Sequence, residues 1–307
     1  MQHNPWLMVD TPAKAAEAHE DIGSSAVIAI DTEYDSFRYF REKLCLIQVK
    51  AKKKTYLFDP LEGPEPSILG ECFSDPAVLK IMHAGDNDIR ILKRDYGFAF
   101  RNIFDTHRAA SLLGCQHLAL STLISQYLGI AFDKEKKMQR SRWDLRPLTE
   151  EQVRYAVADT AHLSALYHVL DREIWQRGLE AEAAKIFEEI AAVEWREKEL
   201  NRRGHERING CQGLNPEERQ RLQRLFRWRF KKAKERNRAF FMILSDSELI
   251  ALSRVELPSA DELRSTGILS AEKAKNFCDE LAAVLLADDH ASPEERRRPR
   301  VMKTGCD

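Results

Sequence analysis

Apolar and polar positions follow two rhythms along this chain, with a change near residue 200. Over the first two thirds, short runs rich in Val, Ile and Leu alternate with segments of helical spacing, which predicts an α/β unit. Ala26 to Ile30 is one such run and reads as a buried strand that delivers Asp31 at its end. Side chains alternate along a strand, so Asp31 and Glu33 point to the same side. Residues 24–60 read as a three-stranded antiparallel start that closes at Tyr56-Leu57-Phe58-Asp59-Pro60, with further short strands at Lys80 to His83 and Ile103 to Asp105. Ile89, Ile91 and Leu92 among charged neighbours predict a helix that begins near Asp86 to Asp88 and stops at Gly97. Thr149-Glu150-Glu151-Gln152 has the form of a capping box and opens a helical stretch to Leu170, on which Tyr155 and Asp159, four apart, share a face.

The flanks of this pattern are plainer. Residues 1–20 are expected to form a loose arm and a first helix, and the Ala/Glu-rich stretch Leu170 to Glu199 one long helix. Asn201 to Gly213, rich in Arg, Asn and Gly, reads as a linker. Asn215-Pro216-Glu217-Glu218 then opens another helix, and Leu214 to Leu286 reads as an all-helical bundle.

Composition narrows the class. At 307 residues the chain is long enough for a main core and a smaller second unit, and 43% apolar content argues against disorder. The start lacks a basic stretch followed by an apolar one, and no apolar run approaches about 18 residues, so neither secretion nor membrane insertion is expected. Six cysteines, at 45, 72, 115, 211, 278 and 306, show no CxxC spacing, which speaks against zinc and against a disulfide framework and favours the cytoplasm. Internal repeats and glycine-rich phosphate loops are absent.

A net charge of -1 hides an asymmetry: residues 201–307 hold 22 Lys and Arg against 17 Asp and Glu, and residues 1–200 hold 26 against 32. From Arg202 to Arg238 there are 13 basic and 4 acidic residues, interleaved with Phe226, Trp228 and Phe230. Such a stretch can track phosphates and stack bases. It can equally be a helix with Leu222, Leu225, Phe226 and Phe230 on its buried face and a solvated basic side.

The candidate chemistry lies in four carboxylates on three segments: Asp31 and Glu33, Asp88, and Asp159 with Tyr155 one turn before it. Each alone has an ordinary reading, as a solvated turn, a helix cap, or a packed ring beside a solvated acid. Together they suggest convergence, and converged carboxylates need cations. Two of them about 4 Å apart repel by roughly 4 kcal/mol at an effective dielectric of about 20. Oxygen ligation without His or Cys suits Mg²⁺ or Mn²⁺, and two such ions stabilise both the attacking and the leaving oxygens of an in-line phosphoryl displacement.

Ile30-Asp31-Thr32-Glu33 followed by Leu44-Cys45-Leu46-Ile47-Gln48, then Met82-His83-Ala84-Gly85-Asp86-Asn87-Asp88 with Phe104-Asp105-Thr106, then Arg146-Pro147-Leu148 before Tyr155-Ala156-Val157-Ala158-Asp159, occur in the order of a known family. The chain resembles the DEDD 3′-5′ exonucleases, in the Tyr-containing subgroup typified by ribonuclease D, over residues 20–290. Where that family often has Ser-Asp-Trp, this chain has Ser141-Arg142-Trp143. Phe226-Arg227-Trp228-Arg229, Met242 to Leu249, and Ala260 to Leu263 with Gly267-Ile268-Leu269-Ser270 resemble the HRDC module, without the proline often found before Phe240-Phe241 and as one copy rather than two.

The resemblance implies an α/β, ribonuclease H-like mixed-sheet exonuclease domain over residues 1–200, a basic linker at 201–213, an all-α HRDC helical bundle at 214–287 and a disordered tail at 288–307. It implies Asp31, Glu33, Asp88 and Asp159 as ligands of two divalent cations, Mg²⁺ or Mn²⁺. Tyr155 would orient or help deprotonate the attacking water; a phenol with an unperturbed pKa of about 10 is a poor base at neutral pH and suits the positioning task better. Asp86 competes with Asp88 for the second-motif role, and the spacing from His83 favours Asp88. His83 reads either as a phosphate contact or as a packed, satisfied histidine, and Arg229, Lys232 and Arg236 are the expected nucleic-acid contacts of the second unit. The activity implied is 3′-5′ trimming of structured RNA, such as tRNA precursors, to nucleoside 5′-monophosphates. The alternatives are a DNA exonuclease acting on single strands and a catalytically silent RNA-binding protein.

Overall fold

The computed structural model describes residues 5–131, 137–256 and 258–287, and divides into units of residues 1–198 and 199–307. The tail expected at 288–307 lies outside the described residues.

The first unit is built on a six-stranded mixed sheet of order β1-β4-β3-β2-β5-β6. Its strands are β1 (Trp6–Val9), β2 (Val27–Asp35), β3 (Lys43–Ala51), β4 (Lys54–Phe58), β5 (Leu79–Met82) and β6 (Ile103–Asp105). β3 runs antiparallel to both its neighbours and the other pairs are parallel, so the expected antiparallel start is β2-β3-β4. Its helices are α1 (Pro12–Gly23), α2 (Ile68–Ser74), α3 (Asp86–Tyr96), α4 (Thr106–Leu112), α5 (Leu120–Leu128), α6 (Glu150–Ala161), α7 (Leu163–Gln176) and α8 (Glu180–Ala191).

Strand alternation assigns the two faces. Ile28, Ile30, Ile47, Val49, Tyr56 and Phe58 pack with α1, α2 and α3 on one face. On the other, Ala29 and Ile81 meet α4, α5 and α7, while Leu46 and Leu57 meet α6 through Val153, Tyr155 and Ala156. Asp31, Glu33 and Gln48 belong to this second face by register, Gln48 lying directly opposite Asp31. The helix that carries Tyr155 and Asp159 is therefore stacked on the face to which the DxE pair points.

Two expectations for the first unit change. The loose N-terminal arm contains β1, which adds to the sheet edge in parallel with β4; Pro5 O accepts from Thr55 N at 2.9 Å. Four residues are too few for alternation to reveal a strand. The long helix expected from Leu170 to Glu199 is instead the end of α7, a turn at Gly178 with φ +64°, α8, and an irregular run from Val193. Composition favoured helix there, but tertiary contacts win: Lys93 pairs with Glu194 at 2.9 Å, Arg41 pairs with Glu197, and Arg94 lies over the Trp195 ring.

The second unit is helical: α9 (Pro216–Arg236), α10 (Phe240–Ile243), α11 (Asp246–Ser253), α12 (Ala260–Ser265) and α13 (Ala271–Leu286). Capping boxes at Asn215 and Ser245 open α9 and α11. The 201–213 stretch expected as a linker forms two 3₁₀ turns that bury His205, Ile208 and Cys211, and a Cβ on Gly204 would come within 2.6 Å of the Phe226 ring. No helix among the described residues is long and apolar enough to cross a membrane.

Candidate active site

β2 and α6 bring Asp31, Glu33 and Asp159 together. One carboxylate oxygen from each lies within 4.8 Å of the other two; Glu33 and Asp159 are buried and Asp31 is half-buried. The donor set contains only oxygen, which fits a hard divalent cation and not zinc. Gathering like charge here is costly without such a cation.

Helix α6 is held in this position by contacts that begin before it. Arg146 pairs with Asp59 at the end of β4 and donates to Cys45 O at 2.6 Å and Trp143 O at 2.7 Å. Trp143, 1% exposed, donates Nε1 to Met138 O and sets its ring 5.9 Å from that of Tyr155. At the helix start, Gln152 closes the capping box and donates Nε2 to Ser141 Oγ at 2.9 Å. Arg142, which replaces the expected acid, pairs with Asp144, itself an acceptor from Tyr39 OH at 3.1 Å.

Asp88 stands outside the three-carboxylate group. Its Oδ1 accepts from Thr32 Oγ1, and Thr32 lies between Asp31 and Glu33 on β2. Burial pushes its carboxyl up to about 6 against the lowering by Thr32, with Asp105 and Asp86 adding to the rise. Asp86 faces elsewhere: Arg108 Nη2 reaches its two oxygens at 3.0 and 3.2 Å. Of the two competing acids, Asp88 is thus the buried one beside β2 and Asp86 is a surface ion-pair partner.

Asp105, fully buried at the end of β6, shapes this side of the site. Its Oδ1 caps α4 through Arg108 N at 2.9 Å, and its Oδ2 accepts from Gly85 N at 2.8 Å, holding the turn in which Ala84 has φ +56°. Burial raises its pKa despite these backbone donors. Thr106 Oγ1 donates to Met82 O at 3.1 Å and so accepts from His83 Nδ1–H at 2.9 Å. His83 is therefore satisfied on one ring nitrogen, with its ring 5.6 Å from that of His107.

Two of the expected nucleic-acid contacts are engaged within the helical unit. Arg229 is 6% exposed, and its Nη1 donates to Leu244 O at 3.0 Å and Asp246 Oδ1 at 2.7 Å. Lys232 is committed to Glu280 at 2.8 Å and Glu235 at 3.1 Å, which raises its pKa. Arg236 is exposed and lies 4.6 Å over the Phe277 ring. Of the aromatics, Trp228 is buried and packs edge-on to Phe277, so it belongs to the core.

One residue at the site was passed over. Gln48 is fully buried opposite Asp31, and neither of its side-chain polar atoms has a hydrogen-bond partner among the described residues. A lone amide in the apolar run Leu44 to Val49 was the available signal.

The profile of the family described as 3′-5′ exonuclease matches residues 7–175, and that of the HRDC domain residues 218–285. Exosome complex component 10 from Rattus norvegicus is 29% identical over 277 residues, covering 84% of this chain and 30% of its own length. The homologue from Drosophila melanogaster is 37% identical over 181 residues, 59% of this chain and 20% of its own. The chain thus spans under a third of the length of these curated relatives. Among solved structures, Escherichia coli RNase D, an exoribonuclease involved in structured RNA processing, aligns with TM-score 0.68 at 28% identity, over 91% of this chain and 74% of its own. The catalytic core of RRP6 from Trypanosoma brucei aligns with TM-score 0.82 at 21% identity, over 92% and 79%, a likeness of fold.

Proposed function

The chain belongs to the 3′-5′ exonuclease family, and on that premise we propose that it is a metal-dependent 3′-5′ exoribonuclease that trims the ends of structured RNA, tRNA precursors among them. The observation that carries this reading is the meeting of Asp31, Glu33 and Asp159, from elements far apart in sequence, within 4.8 Å. RNA as substrate is supported by the description of the E. coli relative.

In this reading Asp31, Glu33 and Asp159 hold two Mg²⁺ or Mn²⁺ ions, and Asp88 adds its charge from beside Thr32. When bound, the ions supply the positive charge that stabilises the attacking and leaving oxygens of an in-line displacement. Tyr155 orients the attacking water: its ring is fixed against Trp143, and it sits one turn from Asp159. The product is a nucleoside 5′-monophosphate. In the second unit, Arg227, Lys231, Lys234 and Arg236 of α9 are exposed and form the phosphate-facing surface, in place of the buried Arg229. The five described cysteines are free, as in a reducing compartment, of which the cytoplasm is the one proposed.

End-labelled RNA and DNA, incubated with Mg²⁺, Mn²⁺ or EDTA, test the proposal. Stepwise shortening of RNA from the 3′ end, stopped by EDTA, is expected. Preferential shortening of DNA would make it a DNA exonuclease, and binding without shortening a silent RNA-binding protein.

A further inference from the structure

By strand alternation Leu46, Gln48 and Lys50 of β3 share the face that meets α6. Two of them have a clear task there. Leu46 packs with Leu57, Val153 and Ala156, and Lys50 donates Nζ to Ala161 O at the end of the helix. Gln48 lies between them, fully buried, and neither of its side-chain polar atoms has a hydrogen-bond partner among the described residues. A Gln amide carries two N–H donors and an acceptor oxygen, and protein interiors rarely leave all of these unmatched.

Its neighbours narrow the choice of partner. Register sets Leu57 of β4 on one side of Gln48 and Asp31 of β2 on the other. Leu57 has nothing to offer an amide. Beneath the same helix, the hydroxyls of Thr55 and Thr160 are 3.5 Å from each other, and Thr160 donates to Val157 O at 3.4 Å. Directly opposed residues of an antiparallel pair have Cβ atoms about 4.5–5.5 Å apart, so the amide can reach the Asp31 carboxylate. That carboxylate is one of the three that meet within 4.8 Å.

The chemistry of a cation site gives the amide a purpose. An ionised carboxylate has two oxygens with about four acceptor sites, and carboxylates that ligate a metal are themselves held by hydrogen bonds from outside the coordination sphere. A neutral amide suits that role beside Asp31. An Arg or Lys at this position would neutralise the carboxylate and repel the ions, whereas Gln supplies an N–H without opposing charge.

We propose that Gln48 is the positioning residue of Asp31 in the cation-loaded protein: its Nε2 donates to one Asp31 oxygen and so turns the carboxylate toward the ions. The inference rests on the reading above in which Asp31 holds a divalent cation. Gln48 touches neither substrate nor ion and acts through Asp31 alone. In the metal-free protein its amide is unmatched, and the bond it was kept for forms only when the ions bind.

The test is calorimetric titration of the full-length protein with Mn²⁺, beside thermal midpoints with and without the ion and cleavage of a short RNA. Gln48→Leu and Gln48→Met both remove the donor at nearly constant volume. Each should hold the metal-free midpoint but weaken Mn²⁺ binding by about 10- to 100-fold, the usual cost of losing a partner of a metal ligand. The rise in midpoint on adding Mn²⁺ should shrink accordingly, and cleavage should need more Mn²⁺ while KM for RNA stays unchanged. In NMR spectra, the Gln48 side-chain N–H signals, identified by their loss in Gln48→Leu, should move downfield and exchange more slowly when Mg²⁺ is added. Mn²⁺ affinities within twofold of wild type for both Gln48 variants, while Asp31→Asn loses affinity, would overturn the inference and leave the nuclease reading in place. So would Gln48 signals that ignore Mg²⁺, or that respond alike in Asp31→Asn. Wild-type Mn²⁺ affinity in Asp31→Asn would instead end the cation-holding reading of Asp31, and this inference with it. If the Gln48 pattern holds while no RNA is shortened in Mn²⁺, the nuclease reading fails and the positioning role stands.

Discussion

In the unit of residues 1–198, three carboxylates share one small volume between β2 and α6, whereas in the unit of residues 199–307 the deeply buried cation Arg229 is matched by Asp246 and a main-chain carbonyl. The contrast extends outward. Lys232 meets Glu280 and Glu235, and Lys273 meets Glu248, in the helical unit. Near the site, burial raises the pKa of both Asp88 and Asp105. Pairing opposite charge inside one unit holds that unit together. Gathering like charge lowers stability unless a bound cation or a retained proton supplies the opposite sign. A charged residue's position in the sequence does not say which of these it does; its burial and partners do.

The largest expected effect breaks the first half of this contrast. Asp31→Asn or Asp159→Asn should bring RNA shortening in Mg²⁺ or Mn²⁺ below detection, weaken Mn²⁺ binding in calorimetry, and leave metal-free thermal stability equal or higher because repulsion is relieved. Near-wild-type turnover in either variant would remove the cation-holding role from that acid. Tyr155→Phe, which keeps the ring against Trp143, should lower kcat by about 10²- to 10⁴-fold with Mn²⁺ affinity unchanged. An unaltered kcat where chemistry limits the rate would make Tyr155 a packing residue.

The second half is broken at Arg229. Arg229→Leu strands the buried Leu244 carbonyl and should destabilise the helical unit by about 1–3 kcal/mol, read as a lower unfolding midpoint, without slowing cleavage of a short RNA. Arg227→Glu with Lys231→Glu, on the exposed side of the same helix, should do the opposite: little change in midpoint, but weaker binding of long RNA and a shallower salt dependence. If the two sets of variants behaved alike, buried and exposed cations of α9 would not differ in role.

A pH series sharpens the contrast. An acid whose folded pKa lies above its unfolded value stabilises the fold at low pH and loses that contribution as pH rises. For Asp88 the fall should run from about 4, its unfolded value, through about 6 in the metal-free protein. Asp105 shifts in the same direction. Asp88→Asn should therefore flatten the decline in midpoint between pH 4 and pH 7. An unchanged slope would show that Asp88 ionises without cost.

What was legible in the sequence follows the same division. That Asp31, Glu33 and Asp159 meet was legible because strand period, helical spacing and motif order all converge on them, and Gly97 and Thr149 mark helix ends by chemistry local to a few residues. The burial of Arg229 was not legible because it depends on what α11 brings to α9. The irregular run after α8 was misread for the same reason: its partners Lys93 and Arg41 lie about a hundred residues or more away.

The smallest effect is expected at Gln48, where the gathering of like charge and the burial of a polar group meet. Its amide is enclosed opposite Asp31 with no hydrogen-bond partner among the described residues, so replacing it by an apolar side chain of similar volume removes a desolvation cost and no bond. Gln48→Leu should thus match or exceed the wild-type metal-free midpoint, by a gain of up to about 1 kcal/mol. The neighbours Leu46 and Leu57 would accept it without a new polar contact. Gln48→Ala is the control, since it removes the same amide but opens a cavity, and it should be clearly less stable than Gln48→Leu. A loss of more than about 1 kcal/mol in Gln48→Leu would mean that the amide has a partner in solution, and that the polar groups around Asp31 are as well matched as those around Arg229.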